Sequence, residues 1–346
     1  MHTAETIQQA IMNVIEGKHL TREQSYAVMS AIMNGEATPS QIGGLLTSLR
    51  MKGETVEEIT GFAEAMRSSG GRVPVMSAGL LDTCGTGGSG IHKFNISTVS
   101  AIIAASVSVR VAKHGNRSAS GKAGSADVLE ALGVNIGLNA VQAASCLNEI
   151  GICFLFAQVF HPSMKHAAAT RRELGVRTVF NMLGPLTNPA GADRQLIGLY
   201  DGGKIETVAH TLKLLGLERA MVVASEDGLD EISIAAPTRI AELREGEVHT
   251  YEVTPQDFGL NSHPLEHMLG GNADENASII RRVLQGERGA YRDVVLANSA
   301  ACIYLAGKAN SLAEGAAIAA QAIDSGAAAN KLQQLIQTTE AFSYVS

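Results

Sequence analysis

Leu80-Leu81-Asp82-Thr83-Cys84 runs directly into Gly85-Thr86-Gly87-Gly88-Ser89-Gly90. A short apolar strand feeding a glycine loop suits an α/β sheet, in which ligands sit beyond the carboxyl ends of the strands. The loop belongs to a longer tract. From Thr83 to Ala126 the chain has no Asp or Glu, yet it carries Lys93, Arg110, Lys113, Arg117 and Lys122. The whole chain has a formal charge of −7, so with +5 in this tract everything outside it sums to −12. Seven glycines fall here: Gly85, Gly87, Gly88, Gly90, Gly115, Gly121 and Gly124. Glycine lets backbone N–H groups converge on phosphate oxygens, whereas carboxylates would repel the same ligand. The tract is read as a phosphate or pyrophosphate site.

Two familiar phosphate loops are excluded. A dinucleotide fold would open its helix at the last glycine and place an acid about 20 residues on. Here His92-Lys93-Phe94-Asn95 intervenes, and the acid-free tract covers the position where the acid should fall. A Walker A loop needs a closing Gly-Lys-Ser/Thr, which is missing. A lone glycine hexapeptide is as readily a tight turn; the basic tract behind it favours phosphate. Asn95-Ile96-Ser97-Thr98 precedes an apolar helical run, so one of its polar residues is an N-cap, and the same helix entry can aim N–H groups at an anion. The next strand ends in Val111-Ala112-Lys113-His114-Gly115-Asn116-Arg117, which places Lys113 opposite the glycine loop.

Upstream, residues 1 to about 70 read as four helices. Thr21…Gln24, Thr38…Gln41 with Pro39 at the first helical position, and Thr55…Glu58 are capping boxes. Ile7, Ile11 and Val14, and Ile42, Leu45, Leu46 and Leu49, recur at helical spacing. So short a module has a limited core, and part of its apolar surface is expected to pack on the second domain or on another subunit; homodimerisation through it is the expectation. From about residue 78 apolar runs alternate with Ala-rich helical segments. Expected strands are 80–84, 109–113, 153–157, 196–199 and 221–224; expected helices include 98–106, 126–132, 140–150 and 203–215. Residues 163 to 186 read as helical and able to pack back on the first module. After residue 230 comes a β-like stretch, then helices from about 264, 291 and 311. The fold class is α/β: a small N-terminal all-helical domain, residues 1–72 with 163–188 packed on it, plus a larger domain of residues 78–162 and 189–346. The larger domain has a central, mostly parallel sheet flanked by helices.

Composition limits the remaining classes. At 346 residues two domains are the better prior, and a hydrophobic content of 45% suits globular packing. No apolar run reaches the ~18 residues of a membrane span, and Met1 to Ala10 does not resemble a signal peptide, so a soluble, cytoplasmic protein is expected. Cys84, Cys146, Cys153 and Cys302 lack CxxC spacing and read as buried thiols. The acidic balance opposes a general nucleic-acid surface.

Gly-Thr-Gly-Gly-x-Gly at 85–90, Phe-Asn-Ile-Ser-Thr at 94–98 and Lys-His-Gly-Asn-Arg-x-x-Ser-Gly-Lys-x-Gly-Ser-Ala-Asp at 113–127 together resemble the anthranilate phosphoribosyltransferases of tryptophan biosynthesis. Arg171-Arg172-Glu173-Leu174-Gly175-Val176-Arg177-Thr178, Asn181 to Pro189 and Gly228-Leu229-Asp230-Glu231-Ile232-Ser233 extend the likeness, in order, over nearly the whole chain. The resemblance implies transfer of the phosphoribosyl group of 5-phosphoribosyl 1-diphosphate to the amine of anthranilate, with release of pyrophosphate. It implies that Gly85, Gly88, Ser89, Lys93, Asn95, Ile96, Ser97, Thr98, Lys113 and Ser125 hold the donor. Gly85, His114, Asn116, His161, Arg171, Gly184 and Pro185 would line the anthranilate side, with Arg171 pairing the carboxylate. Lys113, Arg171 and His114 would be the catalytic set. Magnesium is implied, two ions per subunit, one at Ser97 and one at Asp230 and Glu231.

Spacing alone would make Asp230-Glu231 a solvated loop, could not choose between Arg171 and Arg172, and would leave His114 and His161 as loop-end histidines. The family commonly has Asp where this chain has Ser89. Two other readings compete. A pyrimidine nucleoside phosphorylase would carry a Lys-His-Ser-type sequence where Asp82-Thr83-Cys84 stands; a non-catalytic, nucleic-acid-binding relative would need a basic surface beyond the tract.

Overall fold

The computed structural model of the chain describes residues 3–76, 78–118 and 122–344. Ser120 and Gly121 of the basic motif lie outside the described residues. Four helices open the chain: α1 (Thr3–Ile15), α2 (Arg22–Met33), α3 (Pro39–Lys52) and α4 (Val56–Ser69). All three capping boxes form. Thr21 Oγ1 accepts from Gln24 N at 3.2 Å while Thr21 N donates to Gln24 Oε1 at 2.9 Å, and the Thr38–Gln41 and Thr55–Glu58 pairs repeat the pattern. Each such cap stabilises its helix by about 1 kcal/mol. Glu58 also accepts from Leu20 N and pairs with Lys52 at 2.9 Å, both beneath the surface.

The remaining chain builds one sheet with its covering helices. In order they are β1 (Leu80–Gly85), α5 (Ile96–Ser106), β2 (Arg110–Gly115), α6 (Ser125–Leu132), α7 (Ala140–Ile150) and β3 (Ile152–Phe156). Then come α8 (Ala157–Phe160), α9 (Lys165–Leu174), α10 (Phe180–Leu183), β4 (Arg194–Gly198), α11 (Ile205–Leu214) and β5 (Arg219–Ser225). β6 (Thr238–Arg244), β7 (Glu247–Val253), α12 (Ala273–Leu284), α13 (Ala290–Leu305), α14 (Leu312–Asp324) and α15 (Ala327–Ala341) complete the chain. The sheet order is β3-β2-β1-β4-β5-β6-β7; the first five strands are parallel and the last two antiparallel.

Three segments differ from expectation. The helix placed at 264 begins at Ala273: residues 265–268 form only a 3-10 turn behind Pro264, and Asn272 caps the true start through Glu275 N at 3.0 Å. The helical tail divides at Gly326 (φ +77°), which separates α14 from α15. The segment expected to be helical over 163–186 is broken at Gly175 (φ +62°), with α9 before it and α10 after it.

The two faces of the sheet bury different partners. Leu81, Val111, Leu196, Met221 and Val223 face a core completed by α5, α13 and α15. Cys84, Ile197, Ala220 and Val222 face a second core that runs without a break through α11 into Phe62, Leu45, Ile32 and Met29 of the helical bundle. The bundle therefore buries its apolar stripe on the sheet, as its short length requires, and α9 packs on α2 and α3. All four cysteines are buried and free.

Strand alternation then sorts the site residues. Leu81 pairs with Val111 and Asp82 with Gln195. Thr83 and Lys113, two residues on from Leu81 and Val111, share the α5 face; Asp82, Gln195 and His114 project towards the bundle.

Candidate active site

The glycine loop lies at the carboxyl edge of the sheet. Thr86 N donates to the Gly198 carbonyl at 2.9 Å, and Gly87 N donates to Asp230 Oδ2 at 3.1 Å. A β-carbon at Gly85 would stand 2.7 Å from Asp230 Oδ2, and one at Gly198 would overlap the Asp230 carbonyl oxygen. Bare backbone at both positions is what admits Asp230 to the loop. In the sequence Gly198 is unmarked, because a glycine closing a strand carries no motif of its own.

Asp230 and Glu231 are 1% and 3% exposed, a costly pairing of like charges unless a cation attends them. Lys93 does so, with Nζ 3.0 Å from Asp230 Oδ1 and 2.8 Å from Glu231 Oε1. Burial pulls Lys93 down, but the two carboxylates outweigh it and hold the ammonium above the ordinary lysine range. Burial pushes Glu231 up, with Lys93 opposing. The Asp230 contact has ion-pair distance without hydrogen-bond geometry, so Oδ1 is left without a donor. That orphaned oxygen and the neighbouring Glu231 fit a magnesium ion, which takes hard oxygen ligands and commonly uses one or two carboxylates completed by substrate phosphates. Among the described residues no group of three or more His, Cys, Asp or Glu converges.

Lys113 reaches along the other side of the loop. Its Nζ donates to the Thr83 carbonyl at 2.6 Å and to Ser97 Oγ at 3.1 Å. Burial lowers its pKa, and the Asp82 carboxylate opposes that. Ser97 thus sits with Lys113 at the entry of α5. Asn95 is the N-cap by position, but its side chain makes no cap bond; it donates to the Ala123 carbonyl at 3.2 Å and accepts from Asn276 Nδ2 at 3.0 Å, tying α5 to the basic loop and to α12. Thr98 Oγ1 is buried without a partner. The Ile96 side chain is fully buried, so only its backbone could face a ligand, and its N–H donates to the Phe94 carbonyl at 2.8 Å. Ser89 Oγ accepts from Ile91 N at 3.3 Å and shapes the loop locally. Ser125 donates to the Asn116 carbonyl at 3.3 Å and packs beneath Gly115.

On the bundle side of the sheet the His114 and His161 rings meet edge to face, 5.2 Å between centroids. His161 Nε2 bonds the Thr187 carbonyl at 3.0 Å, and Thr187 Oγ1 donates to the Gly184 carbonyl at 2.9 Å. Burial drives His114 down to about 3, His161 adding to the fall, so its ring is neutral at neutral pH. Gln195 Nε2 spans the Pro185 carbonyl at 2.5 Å and Asp82 Oδ2 at 3.3 Å, and Asp82 Oδ1 accepts from His114 N at 3.0 Å. Burial raises Asp82 to about 6. This buried polar knot, joined through Gln195, which belongs to no motif, fixes the Gly184-Pro185 turn to β4 and β1. The structure also separates the arginine pair. Arg171 lies over the Phe180 ring at 4.9 Å, partly buried and without a carboxylate partner among the described residues, while Arg172 is exposed.

The basic tract does not converge as a whole. Arg110 lies at the amino end of β2, where it donates to the Met76 carbonyl at 3.1 Å. Arg117 pairs with Asp127 and Glu130 of α6, carboxylates just past the end of the tract. Lys122 is exposed, and Asn116 accepts from Arg117 N at 2.8 Å.

A helical bundle set against an α/β sheet, with a glycine loop, a buried lysine and a carboxylate pair at one edge, defines a glycosyltransferase built for a phosphorylated sugar. Residues 77–329 match the model of the glycosyl transferase family a/b domain, and residues 8–70 that of the glycosyl transferase family helical bundle domain. An anthranilate phosphoribosyltransferase of Brevibacillus brevis is 53% identical over 94% of this chain and 96% of its own. The crystal structure of the Thermus thermophilus anthranilate phosphoribosyltransferase superposes with a TM-score of 0.91 at 44% identity, covering 96% of this chain and 99% of that one. The Saccharomyces cerevisiae enzyme, solved in complex with PRPP and Mg, superposes at 0.90 with 25% identity, covering 99% and 100% of the two chains; its complex with 4-fluoroanthranilate superposes at 0.89. The chain belongs to the anthranilate phosphoribosyltransferase family. The nucleoside phosphorylase and nucleic-acid-binding readings are set aside.

Proposed function

We propose that the two faces of β1 and β2 divide the reaction between them, with the phosphoribosyl donor on the side of Lys113 and anthranilate on the side of His114 and Arg171. The enzyme transfers the phosphoribosyl group of 5-phosphoribosyl 1-diphosphate to the amine of anthranilate. The observation that carries the division is the alternation at Lys113 and His114, adjacent residues that project to opposite faces at the end of one strand.

As the ribosyl C1–O bond breaks, negative charge gathers on the departing pyrophosphate. Backbone N–H groups of the glycine loop and the Lys113 ammonium stabilise that charge in place. Asp230 and Glu231, with Ser97 across the loop, would hold two magnesium ions, which would neutralise diphosphate charge without any proton transfer. The anthranilate nitrogen forms the new bond to C1, and its surplus proton passes to water, because a ribosylated anilinium is acidic enough to need no strong base. His114, held neutral, packs the acceptor beside His161 rather than removing that proton. Positioning and charge stabilisation supply the acceleration.

Arg171 pairs the anthranilate carboxylate from its seat on Phe180. Arg171→Ala should raise the anthranilate KM by about ten- to a hundredfold, the worth of a charge-assisted pair, with the donor KM little changed. Loss of anthranilate fluorescence on adding donor and Mg²⁺ measures it; an unchanged anthranilate requirement would remove Arg171 from the acceptor site. Met12 and Ile15 on α1 and Tyr26 on α2 remain exposed, and they are our choice for the face that pairs two copies of this cytoplasmic enzyme. Sedimentation should then give a dimer that Ile15→Glu converts to monomer; a parent protein that sediments as a monomer rules this face out.

A further inference from the structure

Arg177 takes no part in the site as described. It follows α9 on the bundle side and lays its guanidinium on the α/β side, with Cζ 3.9 Å from the centroid of the Tyr200 ring. It also rests on the glycine loop, since a β-carbon at Gly88 would stand 3.3 Å from Arg177 Nε and 3.7 Å from its Cζ. Gly88 has φ +79°, so the bare α-carbon serves both the turn and the approach of the arginine. Among the described residues the guanidinium has no hydrogen-bond acceptor and no carboxylate partner. Glu54 and Asp201 line the same cleft, but Glu54 faces Lys204 at 3.5 Å and Asp201 accepts from Gly203 N at 3.1 Å. Stacking on Tyr200 fixes the guanidinium plane without neutralising its charge.

A charged fork with its donors unfilled, stacked on Tyr200 against a loop shaped for phosphate, has an obvious class of ligand. We propose that Arg177 is a further donor-binding residue, a clamp from the bundle side on the diphosphate held by the glycine loop. The inference rests on reading that loop as the diphosphate site. Arginine suits the task because its planar fork can bind two phosphate oxygens at once. Tyr200 is the positioning residue behind it. Because Arg177 comes from the segment that packs on the bundle and Gly88 from the sheet, a diphosphate between them would tie the two halves together.

Calorimetric titration with inorganic pyrophosphate, with and without Mg²⁺, tests this. Arg177→Ala should weaken pyrophosphate binding by about ten- to a hundredfold under both conditions. Arg172→Ala, on the exposed end of α9, should bind like the parent. Arg177 is exposed, so the melting temperature without ligand should not move. Lys113→Met in the same titration separates two failures. If Lys113→Met weakens binding and Arg177→Ala does not, the assignment of Arg177 is wrong; if neither does, the loop is not the diphosphate site and both readings fall. A rise in the anthranilate KM with pyrophosphate affinity intact would also overturn the proposal.

Discussion

Lys113→Met should cost about 10²- to 10³-fold in kcat/KM for the phosphoribosyl donor, the range seen when one preorganised donor to a developing anion is removed. The reasoning begins with burial. Lys113 is 3% exposed, and its ammonium is anchored on the Thr83 carbonyl and Ser97 Oγ. A lysine so enclosed is held at a fixed point, and burial, which lowers its pKa, gives it a strong interaction with any anion that enters. Methionine keeps most of the volume and removes the charge, so packing changes little. The loss should appear with either substrate saturating, because the charge on pyrophosphate is greatest in the transition state. A loss below about tenfold in steady-state kinetics, with the fold intact, would mean that leaving-group charge is handled elsewhere.

Asp230→Asn should raise the magnesium requirement by more than about tenfold, since even partners outside a metal's own ligands are worth ten- to a hundredfold in affinity. Two effects act together. The variant loses a carboxylate whose Oδ1 has no donor, and it leaves Lys93 with one carboxylate, Glu231, beside the Asp230 carbonyl. The amide can still accept from Gly87 N through its oxygen, so the loop need not move. Ser89→Asp in the same titration should shift the curve as well, by adding a charge to a loop that now has a neutral hydroxyl there. Magnesium titrations that superpose on the parent for both variants would remove these residues from the metal site.

The sequence made the local features legible and left the distant ones hidden. The three capping boxes, the glycine loop and the strand that carries Lys113 follow from neighbours within a few residues; the boxes and the loop stand where expected, and the strand runs two residues past its expected end, to Gly115. The charge count misled at Arg110 and Arg117. A window without acids says nothing of acids just outside it, and Asp127 and Glu130 face Arg117 from the next helix turn. The knot of Asp82, Gln195 and Pro185 joins residues far apart in the chain, so no spacing rule reaches it. In the sequence Arg177 is one basic residue of the stretch from Arg171 to Thr178; only its stacking on Tyr200 and its rest on Gly88 single it out.

The apolar core that runs from Met29 and Phe62 of the bundle into Ala220 and Val222 of the sheet makes the bundle a poor candidate for an independent part. A lesion in α2 or α4 unsettles the floor on which β4 and β5 lie, and β4 ends at Gly198, against which Asp230 is seated. Variants that lose activity through the bundle can therefore mimic defects in metal or donor binding, although they touch neither ligand. Distance from the glycine loop is a weak guide to which residues of this chain are dispensable.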